Sequence, residues 1–459
     1  MSQGNSRMIR FAVTALVLCS TAICNFNGAS PRPAGQIDQS RASGSDHSKH
    51  IAGAGQRTAD LTKKYLESVL FTREEVNDWL EGRMNLYIPE RYDGQMGWAH
   101  VAGRHQHGID KSIATYTYDP SGARRMIMYR DKTCRINTYG NSFTHCDQVS
   151  DGETWQEVLA SHLCEPVRNF GVSGYSVYQM YLRMKREEMK TPGRYIVMNI
   201  YSDDHRRSLF GWASIGMPDP SHQRKLQRRP TAPFVKVNPA TGQFLEYENP
   251  CPRPEALYNL TDLNWAYKNF KDDFVLKIVL AREMAKQGTP EKSYAEIMKL
   301  AQEHGIGTQI DNVEVLNKTL DSLLMRAAIF ASMRIVEKVE EYAKTHDKKV
   351  LYVLSYVQRD TEKALKEGRR FDQEFIDFLQ RKRLPYVDLL EAHKADFAQF
   401  NIGIEEYLKR YYMGHYKSLG NLFTAFSLKS QLVGMVEPKP TSYDKLVEVT
   451  DGPAGTPKK

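Results

Sequence analysis

The chain has 459 residues, 41% of them hydrophobic and 26% charged, which excludes a mostly disordered or fibrous protein and leaves room for one large domain or two modest ones. The formal charge of +8 is spread along the sequence. Its densest cluster, Arg224-Lys225-Leu-Gln-Arg228-Arg229, has no interleaved aromatics, so it reads as a solvated face and argues against a nucleic-acid partner.

At the amino terminus, Arg7 and Arg10 precede an apolar run over 11–23 that is too short and too interrupted by Ser and Thr for a membrane span. Residues 1–29 are therefore expected to be a signal peptide and the chain to be exported, to a periplasm, cell envelope or extracellular space. Membrane contact is expected only if that segment stays uncleaved. Residues 30–57, rich in Gly, Ser, Pro and Arg, read as a flexible linker. An N-terminal extension over 58–133 follows, with a helix over 59–71, a second helix started by the capping-box spacing Thr72-Arg-Glu-Glu75, and short strands and loops over 91–130.

The main domain is expected over 134–434. A strand over 135–139 leads to a helix over 153–163, with Trp155, Val158, Leu159 and His162 on one face. A strand over 166–170, a helix over 176–189 and a strand over 195–201 come next. The last is apolar without alternation, as burial on both faces requires. The pattern breaks over about 210–305 into a mostly helical insertion, with a short strand at 233–237 and helices near 270–286 and 293–303. It resumes with a long amphipathic helix over 313–343, a fourth strand over 349–355, helices across 361–379, a fifth strand over 384–389 and a last helix over 418–433. Residues 435–459 read as a disordered tail. Alternation of strand and helix implies an α/β fold with a parallel, helix-covered sheet.

Beyond the signal, Cys134, Cys146, Cys164 and Cys251 could pair in an oxidising compartment or remain buried thiols, so no disulfide is assigned. Their spacing fits no zinc pattern. His100, His105 and His107 sit in a loop-like stretch whose nearby carboxylate is Asp110, and with Asp204 and His205 they make a weak case for a metal; none is expected, nor any cofactor. His145 reads as a surface or capping residue, with contact to substrate as the alternative. Trp98 and Tyr116 either line a glycan cleft or pack an irregular segment.

The residues that can do chemistry cluster after strand ends. Ser142 follows the first strand of the main domain, at the carboxyl edge where open α/β sheets bind ligands, and Gly140 beside it permits a tight turn. Four segments stand in order: Gly140-Asn-Ser-Phe-Thr144, Asn169-Phe-Gly-Val-Ser-Gly174, Tyr201-Ser-Asp203-Asp204-His205, and Gly414-His415-Tyr-Lys-Ser-Leu-Gly420-Asn421. Together they resemble the conserved blocks of the SGNH/GDSL hydrolase superfamily, from about Cys134 to Val433 with the insertion excepted.

Taken with the strand and helix pattern, the resemblance implies a three-layer α/β/α sandwich around a flavodoxin-like parallel sheet of about five strands. It implies Ser142 as nucleophile, His415 as its base, and an oxyanion hole made by the backbone of Ser142 and Gly174, with Asp203 where the family has an asparagine. Three departures stand out. Asn141 replaces an aspartate of the first block, Asp203 would present a carboxylate to an oxyanion, and Tyr412 and Met413 occupy the places where the family puts an aspartate to orient the histidine. Glu405, Asp203, Asp204, a backbone carbonyl, or no group at all are the options for that last role. The expected function is an exported serine esterase that removes an acyl group, acetyl foremost, from a carbohydrate or small-molecule ester. An O-acyltransferase with the same nucleophile and a noncatalytic module that binds a glycan or partner are the alternatives.

Overall fold

The computed structural model describes residues 59–85, 88–109, 112–216 and 228–443. The expected signal peptide, the linker, Arg224, Lys225, Asp110 and residues 444–459 lie outside them. The described chain belongs to one compact unit that begins at Ala52.

At its centre is a five-stranded, all-parallel sheet. Its strands are β1 (Ile136–Gly140), β2 (Val167–Asn169), β3 (Tyr195–Tyr201), β4 (Lys349–Ser355) and β5 (Tyr386–Asp388), in the spatial order β2-β1-β3-β4-β5. Every residue of β1 and β3 is buried. Alternate side chains feed two different cores. Ile196, Met198, Ile200, Val350, Tyr352 and Leu354 join one core, while Val197, Leu351 and Val353 join the other. This alternation is why the two strands read as unbroken apolar runs: each face of the sheet is covered, so neither parity of side chain meets water.

Helices follow the strands with their own start signals. Helix α1 (Trp155–Leu163) is capped by the Thr154 hydroxyl, which accepts from the Glu157 N–H. Helix α2 (Val177–Glu188) opens with a reciprocal capping box between Ser176 and Gln179. Helix α3 (Val313–Thr345) has 33 residues, about 50 Å at 1.5 Å per residue, and is capped by Asn312. Trp155 and Leu159 of α1 share a core with Ala425, Leu428 and Leu432 of the last helix, α4 (Ser418–Met435). Met180 and Met184 of α2 share the opposite core with Ile335 and Val339 of α3.

The extension is part of this body, because Leu66, Val76 and Trp79 are buried in the same core as Met198 and Tyr352. Its helices cover 59–69 and Arg73–Leu80, the second with both hydrogen bonds of the expected capping box. An antiparallel hairpin, Gly103–Ile109 with Ser112–Tyr118, reaches the edge of the parallel sheet through a bridge between Arg124 and Asn169.

Several expectations need correction. The lone strand at 233–237 is half of a hairpin, Phe234–Asn238 with Gln243–Tyr247; the second strand is mostly exposed and so lacks an apolar pattern. Helices Leu389–Phe397 and Ile404–Tyr411 were not anticipated. Arg228 and Arg229 are not a solvated face: Arg228 donates to the carbonyls of Leu70 and Ser68, and Arg229 pairs with buried Glu90 at 3.0 Å. All four described cysteines are free thiols. Among the described residues, no helix is long and apolar enough to cross a membrane.

Candidate functional site

Two loops at the carboxyl edge of the sheet are fastened to each other. After β1 the backbone turns at Asn141, whose side-chain oxygen accepts from the Phe143 N–H at 2.8 Å and caps the one-turn helix Ser142–His145. Ser142 stands first in that turn and is 7% exposed. After β2, the Asn169 amide donates to the Thr144 carbonyl at 2.8 Å, and its oxygen accepts from the Gly171 N–H at 2.9 Å. A Cβ on Gly171 would lie 2.2 Å from the His145 nitrogen, and one on Gly140 would lie 1.8 Å from the Thr144 hydroxyl. Gly171 thus serves the close approach of one loop to the other, and Gly140 lets the turn fold back on its own Thr144.

The segment after the turn is held tightly. Cys146 and Gln148 both adopt left-handed backbone, with φ of 65° and 74°. Such conformations cost non-glycine residues about 1 kcal/mol each and persist only where the surroundings impose them. Here the clamp is Arg124, buried beneath the loop, which donates to the carbonyls of His145, Cys146 and Val149 at 2.7, 2.9 and 2.5 Å and to the Asp151 carboxylate at 3.0 Å.

This conformation turns Asp147 inward. Its carboxylate takes the Ser173 hydroxyl at 2.8 and 3.0 Å and His145 Nδ1 at 2.5 Å. The hydroxyl of Tyr118 lies 2.7 Å from the other nitrogen of His145. Burial raises the Tyr118 phenol far above its ordinary range, so it stays protonated and donates. Burial also lowers His145, with Asp147 opposing, so the ring is neutral and carries its proton on Nδ1 toward the carboxylate. His145 is fully buried, which corrects the expectation of a surface or capping residue.

His415 arrives from the other end of the chain. It lies in a small ribbon, Tyr412–Met413 with His415–Tyr416, and its backbone N–H donates to the Gln148 side chain at 2.7 Å. Its ring is 5.1 Å from that of Phe143, the residue after Ser142, and Tyr416 meets the same Phe143 ring at 5.0 Å. His415 Nε2 stands 3.9 Å from an oxygen of Asp147. Burial acts to raise the Asp147 carboxyl, but facing His415 and His145 and the Ser173 hydroxyl overcome it and hold the group below the usual carboxylate range.

Gly174 has φ of +77°, where a side chain would be strained, and a Cβ there would strike the Arg229 guanidinium. That guanidinium donates to the Ser173 carbonyl, as does the Trp98 indole at 3.0 Å, and it stacks 4.6 Å from the Trp98 ring. Trp98 and Tyr116 are both buried, so they pack and brace the loops and do not line a cleft. Ser142, Gly174 and His415 are therefore positioned by contacts around a common pair of loops.

Asp203 is held differently. Its carboxylate pairs with Arg206 at 2.8 Å and Arg207 at 3.6 Å, and it borders a cleft of about 750 Å³ that Ser202, Arg206, Arg326, Asp360 and Lys363 also line. A carboxylate in such pairs accepts hydrogen bonds and donates none. Asp204, the next residue, is buried against the Ser142 loop through Asn141. Glu405 pairs with Lys409 on an exposed helix face. His415 faces Asp147, a carboxylate that the sequence reading did not consider. Its signal is faint, a lone aspartate five residues past the serine.

His205 is bonded to Ser332 in the core and His100 is buried between Tyr118 and His145. Among the described residues, no group of three or more His, Cys, Asp or Glu side chains is arranged to hold a metal ion. Neither the protein-family models nor the curated proteins compared with this sequence give a match.

Proposed function

We propose that the chain is an exported serine esterase of the SGNH/GDSL type, acting on an acyl ester of a carbohydrate or small molecule, with acetyl as the expected acyl group. The fold reading that accompanies it is a three-layer α/β/α sandwich of the flavodoxin-like kind, supported by the strand order β2-β1-β3-β4-β5 and by separate cores on the two faces. The observation that carries the proposal is the docking of His415 on the Ser142 turn, through Gln148 and the Phe143 ring. The two partners of that hydrogen bond, Gln148 and His415, are 267 residues apart in the sequence.

In this reading His415 takes the Ser142 proton as Oγ attacks the acyl carbonyl carbon, and the resulting oxyanion accepts from the backbone N–H groups of Ser142 and Gly174. Collapse breaks the ester C–O bond, and His415 returns the proton to the departing alcohol. Water then repeats the sequence on the acyl-serine. Each oxyanion donor contributes about 3 kcal/mol to the barrier reduction. The left-handed Gly174, braced through Ser173, fits a fixed donor. Asp203 has no part as donor, being committed to Arg206 and Arg207.

The test is labelling by a fluorophosphonate together with hydrolysis of an aryl acetate, in the wild type and in Ser142→Ala and His415→Ala. Labelling at Ser142 that both substitutions abolish or slow by about 10³-fold or more is expected. A wild type that is neither labelled nor active at neutral pH would sink the reading.

A further inference from the structure

The family positions for an orienting aspartate hold Tyr412 and Met413 here, in the strand just before His415. We propose that Asp147, carried on the nucleophile's own loop, is the carboxylate that positions His415. The inference rests on the esterase reading of Ser142 and His415 and adds a residue to it.

Four observations support this role. The Asp147 carboxylate is buried yet faces His415 Nε2 at 3.9 Å, a distance that a small rotation of either side chain closes to a hydrogen bond when substrate excludes water. Its remaining lone pairs are filled from behind by Ser173 and by the Nδ1 proton of neutral His145, which is itself fixed by Tyr118. The loop that presents it holds two left-handed residues, Cys146 and Gln148, and is riveted by Arg124, which fixes where the carboxylate stands. Finally, the other ionisable groups near it have partners of their own: Arg124 pairs with Asp151, Arg229 meets Glu90, whose carboxyl burial pushes up to about 8, and the Tyr116 and Tyr118 phenols are kept protonated by burial. An anion so enclosed is balanced most directly by the imidazolium that forms when His415 takes the serine proton. Asp147 stays ionised throughout; the proton passes from Ser142 to His415 to the leaving alcohol.

The measurement is the pH dependence of kcat and KM for an aryl acetate in the wild type and Asp147→Asn, with fluorophosphonate labelling of Ser142 in both. Asp147→Asn is expected to lower kcat by about 10²- to 10⁴-fold with KM within about threefold, and to move the acid limb of kcat/KM to lower pH by about one unit, as loss of a facing carboxylate requires. A labelled, active wild type whose limb is unmoved in Asp147→Asn overturns the inference and leaves the esterase reading standing. Failure of the wild type to be labelled removes both. Should Asp147→Asn not fold by circular dichroism, Ser173→Ala decides. It removes a hydrogen bond that competes for the carboxylate, so the limb is expected to move upward; an unmoved limb overturns the inference.

Discussion

The side-chain amide of Asn141 donates to the carboxylate of Asp204 across 2.8 Å, tying the turn before Ser142 to the loop after β3. Arg207 and the Tyr201 N–H also bind that carboxylate, each at 2.9 Å. Burial nevertheless pushes Asp204 up to about 8, against the pull of Arg207. The asparagine is thus a local necessity: an aspartate at 141 would set a second carboxylate against one that is already costly to ionise. Asn141→Asp is expected to destabilise by about 2 kcal/mol or more at pH 8 and by much less at pH 5. The sign follows from proton counting. A carboxyl raised in the folded state holds a proton that the unfolded chain has released between about pH 4 and 8, so stability falls as pH rises through that window. Urea midpoints at the two pH values measure it; an equal loss at both would refute the argument.

Close approach of the two loops makes a steric prediction. A Cβ on Gly171 would meet backbone atoms of Thr144 and His145 on a segment that Arg124 and Asn169 pin from other sides. With no flexible side chain to yield, Gly171→Ala is expected to cost about 3 kcal/mol. Gly152 has nothing within 4 Å of the same virtual atom, so Gly152→Ala is expected to be neutral or to stabilise by up to about 1 kcal/mol. Thermal unfolding of the pair distinguishes loop contact from a general dislike of alanine. Equal melting temperatures would contradict it.

Two buried histidines, His393 and His205, predict acid sensitivity. Burial lowers His393 to about 3, among Tyr407, Tyr412, Tyr416 and Phe423, and lowers His205 to about 4, against Ser332. Above pH 6.5 both are neutral folded or unfolded and contribute no pH dependence. As pH falls below 6.5 the unfolded chain binds protons that the folded core refuses, so stability declines progressively until about pH 3 to 4. The slope of unfolding free energy against pH between 4 and 6 should therefore flatten in His393→Gln, relative to the wild type. An unchanged slope would mean that the folded state admits the proton.

How far the sequence carried depended on which property each element had to advertise. The runs at 195–201 and 349–355 had to be apolar on both parities, and the structure returns those bounds unchanged. The loop blocks were legible because Gly140, Gly171, Asn141 and Asn169 answer geometric demands that few residues meet. Helix Ile404–Tyr411 was hidden by its four charged side chains, and the strand Gln243–Tyr247 by its exposure. Arg229 and Asp147 failed to show for another reason. A charge belongs to a site only through partners that are remote in sequence, Glu90 and Trp98 for one and Ser173 and His415 for the other, so nothing in their neighbours signals burial.

Asp203 offers the last discriminating change, because substitution by asparagine restores the residue type that the SGNH resemblance expects. Its side chain is 30% exposed and its carboxylate reaches Arg206 and Arg207 along the wall of the cleft. If the oxyanion is met by the two backbone N–H groups alone, Asp203→Asn trades a partly exposed ion pair for an amide. The cost is then about 0 to 1 kcal/mol of stability, with kcat for an aryl acetate within about threefold of the wild type. A carboxylate standing at the oxyanion itself would repel the negative charge as it forms, and replacing it by an N–H donor would raise kcat by about 10²-fold or more. Steady-state kinetics on Asp203→Asn therefore separates a hole of two donors from a hole whose third place is filled by the wrong charge, and the pairing with Arg206 argues for the first.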